Sequence, residues 1–92
     1  MRKTKQTAAF KKDLKRESRG EHRRVLQEEF VGVVNQLALD RKLPPKYNDH
    51  ELTGDWIGHR ECHVKPDLLL VYLKTDDDTL HLVRLGSHSE LF

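Results

Sequence analysis

"LLLVYLKTDDDTLHLVRLG", residues 68–86, decides the fold. Leu68 to Leu73 is an unbroken apolar run, the pattern of a strand covered on both faces. Asp76 to Asp78 supply turn chemistry. "TLHLVRLG" then resumes as a second strand, so the two runs read as an antiparallel hairpin. Upstream, "HRECHV" (59–64) alternates as a strand and "KPD" (65–67) turns it into the hairpin. That alternation sends Arg60, Cys62 and Val64 one way and His59, Glu61 and His63 the other.

The front half has a different period. "RKTKQT" reads as a short edge strand. "TAAFKKDLKRESRG" (7–20) turns helical, with Phe10 and Leu14 on one face and Gly20 as a stop. "EHRRVLQEEFVGVVNQLALDRK" (21–42) repeats Leu26, Phe30, Val33 and Leu37 at helical spacing. "LPPKY" is expected to end that helix, because proline lacks the amide donor. "NDHELTGDWIG" is loop-like, and "SHSELF" a tail or helical turn. The sum is an α+β fold: an N-terminal helical hairpin packed on a small curved antiparallel sheet, one domain over residues 1–92.

The 92 residues carry a net charge of +2. Residues 1–46 hold 13 Lys/Arg against 6 Asp/Glu, and residues 47–92 hold 4 against 9. A basic front half suits a polyanion or an acidic protein partner. The lone Cys62 rules out an internal disulfide and suits a reducing compartment. No run is long enough to cross a bilayer, and "MRKTKQTAAF" has no apolar signal core, so a cytoplasmic location is expected.

Five of the six histidines fall in the second half. His50, His63, Asp67, Arg84 and His88 each lie in or beside a predicted strand, so adjacent strands can bring them together. Imidazoles beside a carboxylate and a guanidinium suit phosphodiester chemistry: proton transfer near neutrality, and a fixed fork for a phosphate gaining charge. Zinc is the rival, through His59, Cys62 and His63, but Cys62 and His63 are adjacent on a strand and face opposite ways. No metal and no cofactor are expected. Trp56 and Tyr72 read as packing residues, and Cys62 as a small buried apolar one.

The ordered pattern Asp49-His50, then Leu52, Gly54, Trp56, Gly58 and Arg60, then His63-Val64 and Pro66-Asp67, then Arg84, Gly86, Ser87-His88 and Leu91-Phe92 resembles the YafQ branch of the RelE/ParE toxin superfamily. It covers residues 47 to 92. The resemblance implies a toxin of a type II toxin–antitoxin module. Its activity would be that of a ribosome-dependent endoribonuclease, cutting mRNA in the A site by metal-independent attack of a 2′-hydroxyl. It implies His50 and His63 as active-site histidines and Asp67 as the carboxylate. It gives Arg84 for the phosphate, His88 as the last catalytic histidine and so the candidate general acid, Phe92 against RNA, and Arg60 either against RNA phosphate or paired with an acid. The implied partners are an antitoxin, the ribosome and mRNA, with no membrane. The toxin is expected to be monomeric alone and hetero-oligomeric with the antitoxin. The alternative is a non-enzymatic ParE-like toxin acting on a topoisomerase. One departure stands out: some relatives carry tryptophan after the Pro-Asp, where this chain has Leu68, which bears on codon preference. No role is assigned to His59 or His81.

Overall fold

The computed structural model describes residues 1–92. Five strands form one sheet: β1 (Lys3–Gln6), β2 (His50–Glu51), β3 (Arg60–Lys65), β4 (Leu68–Thr75) and β5 (Thr79–Gly86), in the order β1-β5-β4-β3-β2. The expected hairpin is present, β4 pairing antiparallel with β5 from Thr75↔Thr79 to Leu69↔Gly86. Its tight loop closes with Asp78 in the left-handed region (φ 64°), a conformation aspartate tolerates. Four strands pair antiparallel. The fifth, β1, joins β5 in parallel, which no local pattern in "RKTKQT" announces.

Thr7 caps α1 (Ala8–Glu17), its hydroxyl accepting from the Phe10 N–H at 3.0 Å. The second helix, α2, is continuous through Arg23–Val25, a π-helical turn at Leu26–Phe30, and Val31–Ala38. It ends before the prolines. Asp40 takes φ 57°, its N–H donates to Leu37 O and the Arg41 N–H to Gln36 O. That is a Schellman motif with aspartate in the usual glycine position, so the stop lies upstream of "LPPKY".

The sheet buries both faces unequally. Phe10, Leu26, Phe30, Val33 and Leu37 from the helices pack on Cys62, Val64, Leu68, Leu70, Tyr72, Leu80, Leu82 and Leu85. The other face holds a smaller cluster, Leu69 and Val71 with Leu91 from α3 (His88–Leu91), flanked by Leu52, Trp56 and Val83. Leu82 and Leu85 reach the same core although three residues apart. A bulge reconciles them: the register steps from Tyr72↔Leu82 to Val71↔Arg84, leaving Val83 as the extra residue. Strict alternation would have sent Arg84 into the core with Leu80 and Leu82.

β1 covers β5 only as far as the bond from the Thr7 N–H to Leu82 O. Beyond it, α1 satisfies the strand edge. The Asp13 carboxylate accepts from the Leu85 N–H at 3.0 Å and from Arg84 Nε at 2.7 Å and Nη2 at 3.2 Å. Asp13 is only 3% exposed. Burial by itself raises its carboxyl, but Arg84, the Leu85 N–H and Arg16 outweigh that, and the net shift is downward. A carboxyl lowered by folding stabilises the native state above the ordinary carboxylate range, and that contribution is lost as pH falls through the lowered value. Asp13→Ala should therefore cost about 3 kcal/mol near neutral pH, as for one partner removed from a buried ion pair. In denaturant melts its deficit relative to wild type should shrink on acidification. A deficit that stays constant to strongly acid pH would show that the charge is not the source.

Candidate active site

On the face opposite the helices, the sheet register lays out a row. His50 pairs with Glu61, Glu61 with Val71, and Val71 with Arg84. The next position carries His63, paired with Leu69. Side chains directly across strands share a face, so the row delivers an imidazole, a carboxylate and a guanidinium to one surface, with a second imidazole beside them. α3 closes over the end of this surface. It is capped by Ser87, whose hydroxyl and backbone N–H exchange bonds with Glu90 in a capping box.

The result is a groove of about 490 Å³ lined by Asn48, His50, Leu52, Thr53, Trp56, Glu61, His63, His88 and Phe92. That volume suits one nucleotide-sized group. Glu61 sits at its floor, 5% exposed. Its Oε1 is 3.2 Å from His63 Nε2 and its Oε2 3.9 Å from His50 Nε2. His50 is anchored from its other side: Nδ1 lies 2.7 Å from the Asn48 carbonyl, which can only accept, so Nδ1 carries the hydrogen there. Asn48 itself adopts φ 45°, which points that carbonyl at the ring. His50 is thus anchored through Nδ1, and His63 approaches the carboxylate through Nε2.

Aromatic rings line one side of the groove. Trp56 meets Phe92 edge-on at 5.6 Å between centroids, and Phe92 lies 5.3 Å from His88. Trp56 also meets His59 edge-on at 5.5 Å. Phe92 is 47% exposed, leaving one side of its ring open to solvent.

The structure brings His50, His63, His88 and Phe92 together as the sequence pattern expects, and sets Arg84 two strands from Glu61, roughly 10 Å away by strand spacing. The Arg84 guanidinium is turned to Asp13 at the sheet edge. Two further expected residues lie outside the groove. Asp67 does not enter the groove. It sits in the turn between β3 and β4, 59% exposed at its side chain, with Oδ2 3.2 Å from His22 Nε2 at the start of α2. The groove's carboxylate is Glu61, which the alternation in "HRECHV" already put on the same face as His63. Arg60 also lies elsewhere, opposite Tyr72 on the helix-covered face, donating to Asp49 Oδ1 at 3.2 Å and to Tyr72 Oη at 3.3 Å. Tyr72 in turn donates to Asp49 at 2.6 Å. Leu68 is fully buried beneath the helices, and Cys62 is buried against them, away from His63.

Imidazoles around a buried carboxylate beneath aromatic rings are the groups that general acid–base chemistry uses. The chain belongs to the family described as bacterial toxin of type II toxin-antitoxin system, YafQ, which it matches over residues 2–92. The mRNA interferase toxin YafQ of Escherichia coli K12 is 48% identical over 50 residues, 54% of this chain and 53% of that protein. The alignment thus spans about half the length of that curated relative, and 63% of another from Haemophilus influenzae. A metal-bound toxin from Helicobacter pylori is 48% identical and superposes with a TM-score of 0.84, with both chains covered in full. In the E. coli DinJ-YafQ complex the matching chain is 33% identical at a TM-score of 0.79, covering 100% of this chain and 99% of that one.

Burial pushes the Cys62 thiol up to about 12, aided by Asp49 and Glu61. In the native protein it should therefore resist thiol reagents at neutral pH, reacting only as fast as the fold opens. Labelling at the rate of a free thiol would contradict this placement.

Proposed function

We propose that this chain is the toxin of a type II toxin–antitoxin module and an endoribonuclease that cuts mRNA in the ribosomal A site. The observation that carries the reading is the groove in which His50, Glu61, His63 and His88 meet beneath Trp56 and Phe92. The name of the E. coli relative, an mRNA interferase toxin, supports it.

The chemistry follows from what each group can do. His50 or His63 takes the proton from the ribose 2′-hydroxyl through its unanchored nitrogen, and the 2′-oxygen attacks the adjacent phosphate. Glu61 orients His63 and faces His50, stabilising whichever imidazolium forms. His88 protonates the leaving 5′-oxygen, giving a 2′,3′-cyclic phosphate and a 5′-hydroxyl. Arg84 flanks this face from the sheet edge, where Asp13 holds its fork, and it meets charge developing on the equatorial oxygens only by swinging away from that carboxylate. Phe92 and Trp56 hold a base by stacking, which keeps the attacking oxygen in line. Asp67 acts outside the groove, tying the β3–β4 turn to α2 through His22.

Partners follow from charge. α1 exposes Lys11, Lys12 and Lys15, with Arg19 exposed just past its end, a surface suited to ribosomal RNA phosphates. An acidic antitoxin matches the same surface, and the DinJ-YafQ complex of the relative supports an antitoxin partner. No helix is long and apolar enough to cross a membrane. A cytoplasmic setting, where ribosomes are, completes the reading.

Primer extension on a defined mRNA, free and on ribosomes with an occupied P site, tests the proposal. Cleavage at A-site codons only on ribosomes is expected. His88→Ala should lower its rate by about 10²–10⁴-fold, the range for loss of a general acid. Glu61→Gln should cost on the order of 10²-fold, whereas Asp67→Asn should stay within about threefold of wild type. No cleavage by folded wild-type protein would overturn the nuclease reading. A larger loss in Asp67→Asn than in Glu61→Gln would overturn the choice of carboxylate.

A further inference from the structure

The motif "RLGSHSE", residues 84–90, contains a glycine that the groove does not explain. Gly86 ends β5, and a Cβ built on it would lie 2.7 Å from Arg16 Nη2 and 3.2 Å from Glu90 Oε1. Any other side chain would crowd the guanidinium that crosses there and make it shift from its present contacts. Arg16 comes from α1 and uses its whole fork at this point. Nη2 donates to the Leu85 carbonyl at 2.8 Å and Nη1 to Asp13 Oδ1 at 3.0 Å. Nε lies 3.0 Å from Glu17 Oε2 and 3.1 Å from Glu90 Oε2. Glu90 is also the capping-box residue of α3, its Oε1 accepting from the Ser87 N–H at 2.8 Å.

α3 has four residues and cannot hold its own shape, since a single helical turn fixes more dihedrals than its bonds repay. Leu91 anchors one side of it in the small cluster with Leu69 and Val71. The other side rests on Glu90. Both groove residues of this segment, His88 and Phe92, are set by that turn.

We infer that Arg16 is a positioning residue for the site: its guanidinium, passing over Gly86, fixes Glu90, and Glu90 fixes the cap of the turn that carries His88 and Phe92. Lysine cannot replace it, because a single ammonium cannot reach diverging acceptors on β5, α1 and α3 at once. Asp13 holds Arg84 and Arg16 together, so one stretch of α1 sets both the guanidinium at the sheet edge and the C-terminal turn. An ion pair as exposed as Arg16–Glu90 adds little to global stability, so its effect is on local order rather than on melting. The kinetic consequence rests on the nuclease reading, while the structural one does not.

Two measurements on the full chain test this, with Arg16→Leu, Arg16→Lys, Glu90→Gln and the double variant Arg16→Leu/Glu90→Gln. The first is amide hydrogen exchange at Leu91 and Phe92, whose N–H groups donate to Ser87 O and His88 O. Arg16→Leu should speed exchange there by about tenfold, while the amides of β4 keep their protection. The second is ribosome-bound cleavage. Arg16→Leu should lower kcat by about tenfold or more with KM within about twofold, as a misplaced acid predicts. Arg16→Lys should not restore it, and the double variant should lose clearly less than the product of the two single losses, because the two share the link through Glu90. Unchanged exchange in Arg16→Leu, additive losses, or a rise in KM at constant kcat would overturn the inference. The last outcome would make Arg16 a direct RNA contact. A wild-type protein that cuts nothing would remove the nuclease reading, and the exchange comparison would still decide the role of Arg16.

Discussion

The pairing register of β3 is the constraint on which the rest depends. Side chains on a strand alternate, so a slip of one residue would exchange its two faces. In the observed register Cys62 and Val64 enter the core beneath the helices, and Glu61 and His63 face the groove. The same register joins Glu61 to His50 on one side and, across Val71, to Arg84 on the other. The apolar core thus fixes the site: slipping β3 would bury two ionisable groups in a hydrocarbon layer, at a cost no local contact could recover.

α1 supplies the second constraint. β1 stops short, and the exposed edge of β5 needs partners for the Leu85 N–H and C=O. Asp13 and Arg16 provide both. Those same side chains hold Arg84 and Glu90, so the groups that satisfy an open strand edge also orient the flank and the roof of the groove. The Val83 bulge belongs to this arrangement, since it turns Arg84 out of the core and toward that edge.

Much of this was legible in the residues. The apolar run Leu68–Leu73 and the aspartate turn identify the central hairpin, and Leu26, Phe30, Val33 and Leu37 identify the face of α2. The parallel pairing of β1 was not legible, because its partner lies more than 70 residues away and nothing local names it. The end of α2 was misplaced because Asp40 in a left-handed conformation is rarer than glycine, whereas the prolines are conspicuous. The Val83 bulge had a signal, Leu82 and Leu85 three apart in a period of two. Of the site, His50, His63, His88 and Phe92 were found through an ordered motif. The motif also names Asp67, which lies outside the groove beside His22, while only the strand alternation points to Glu61, the carboxylate inside it.

The proposed function requires the groove on the open face of the sheet to receive the scissile phosphate. A structure of the toxin on a ribosome carrying an A-site mRNA with a blocked 2′-hydroxyl tests it most directly. The account predicts the scissile phosphodiester inside the groove, with an unanchored nitrogen of His50 or His63 within about 3 Å of the 2′-oxygen and His88 as close to the 5′-oxygen, the reach of a proton transfer. A phosphate bound on the helical face, with the groove empty, would contradict it.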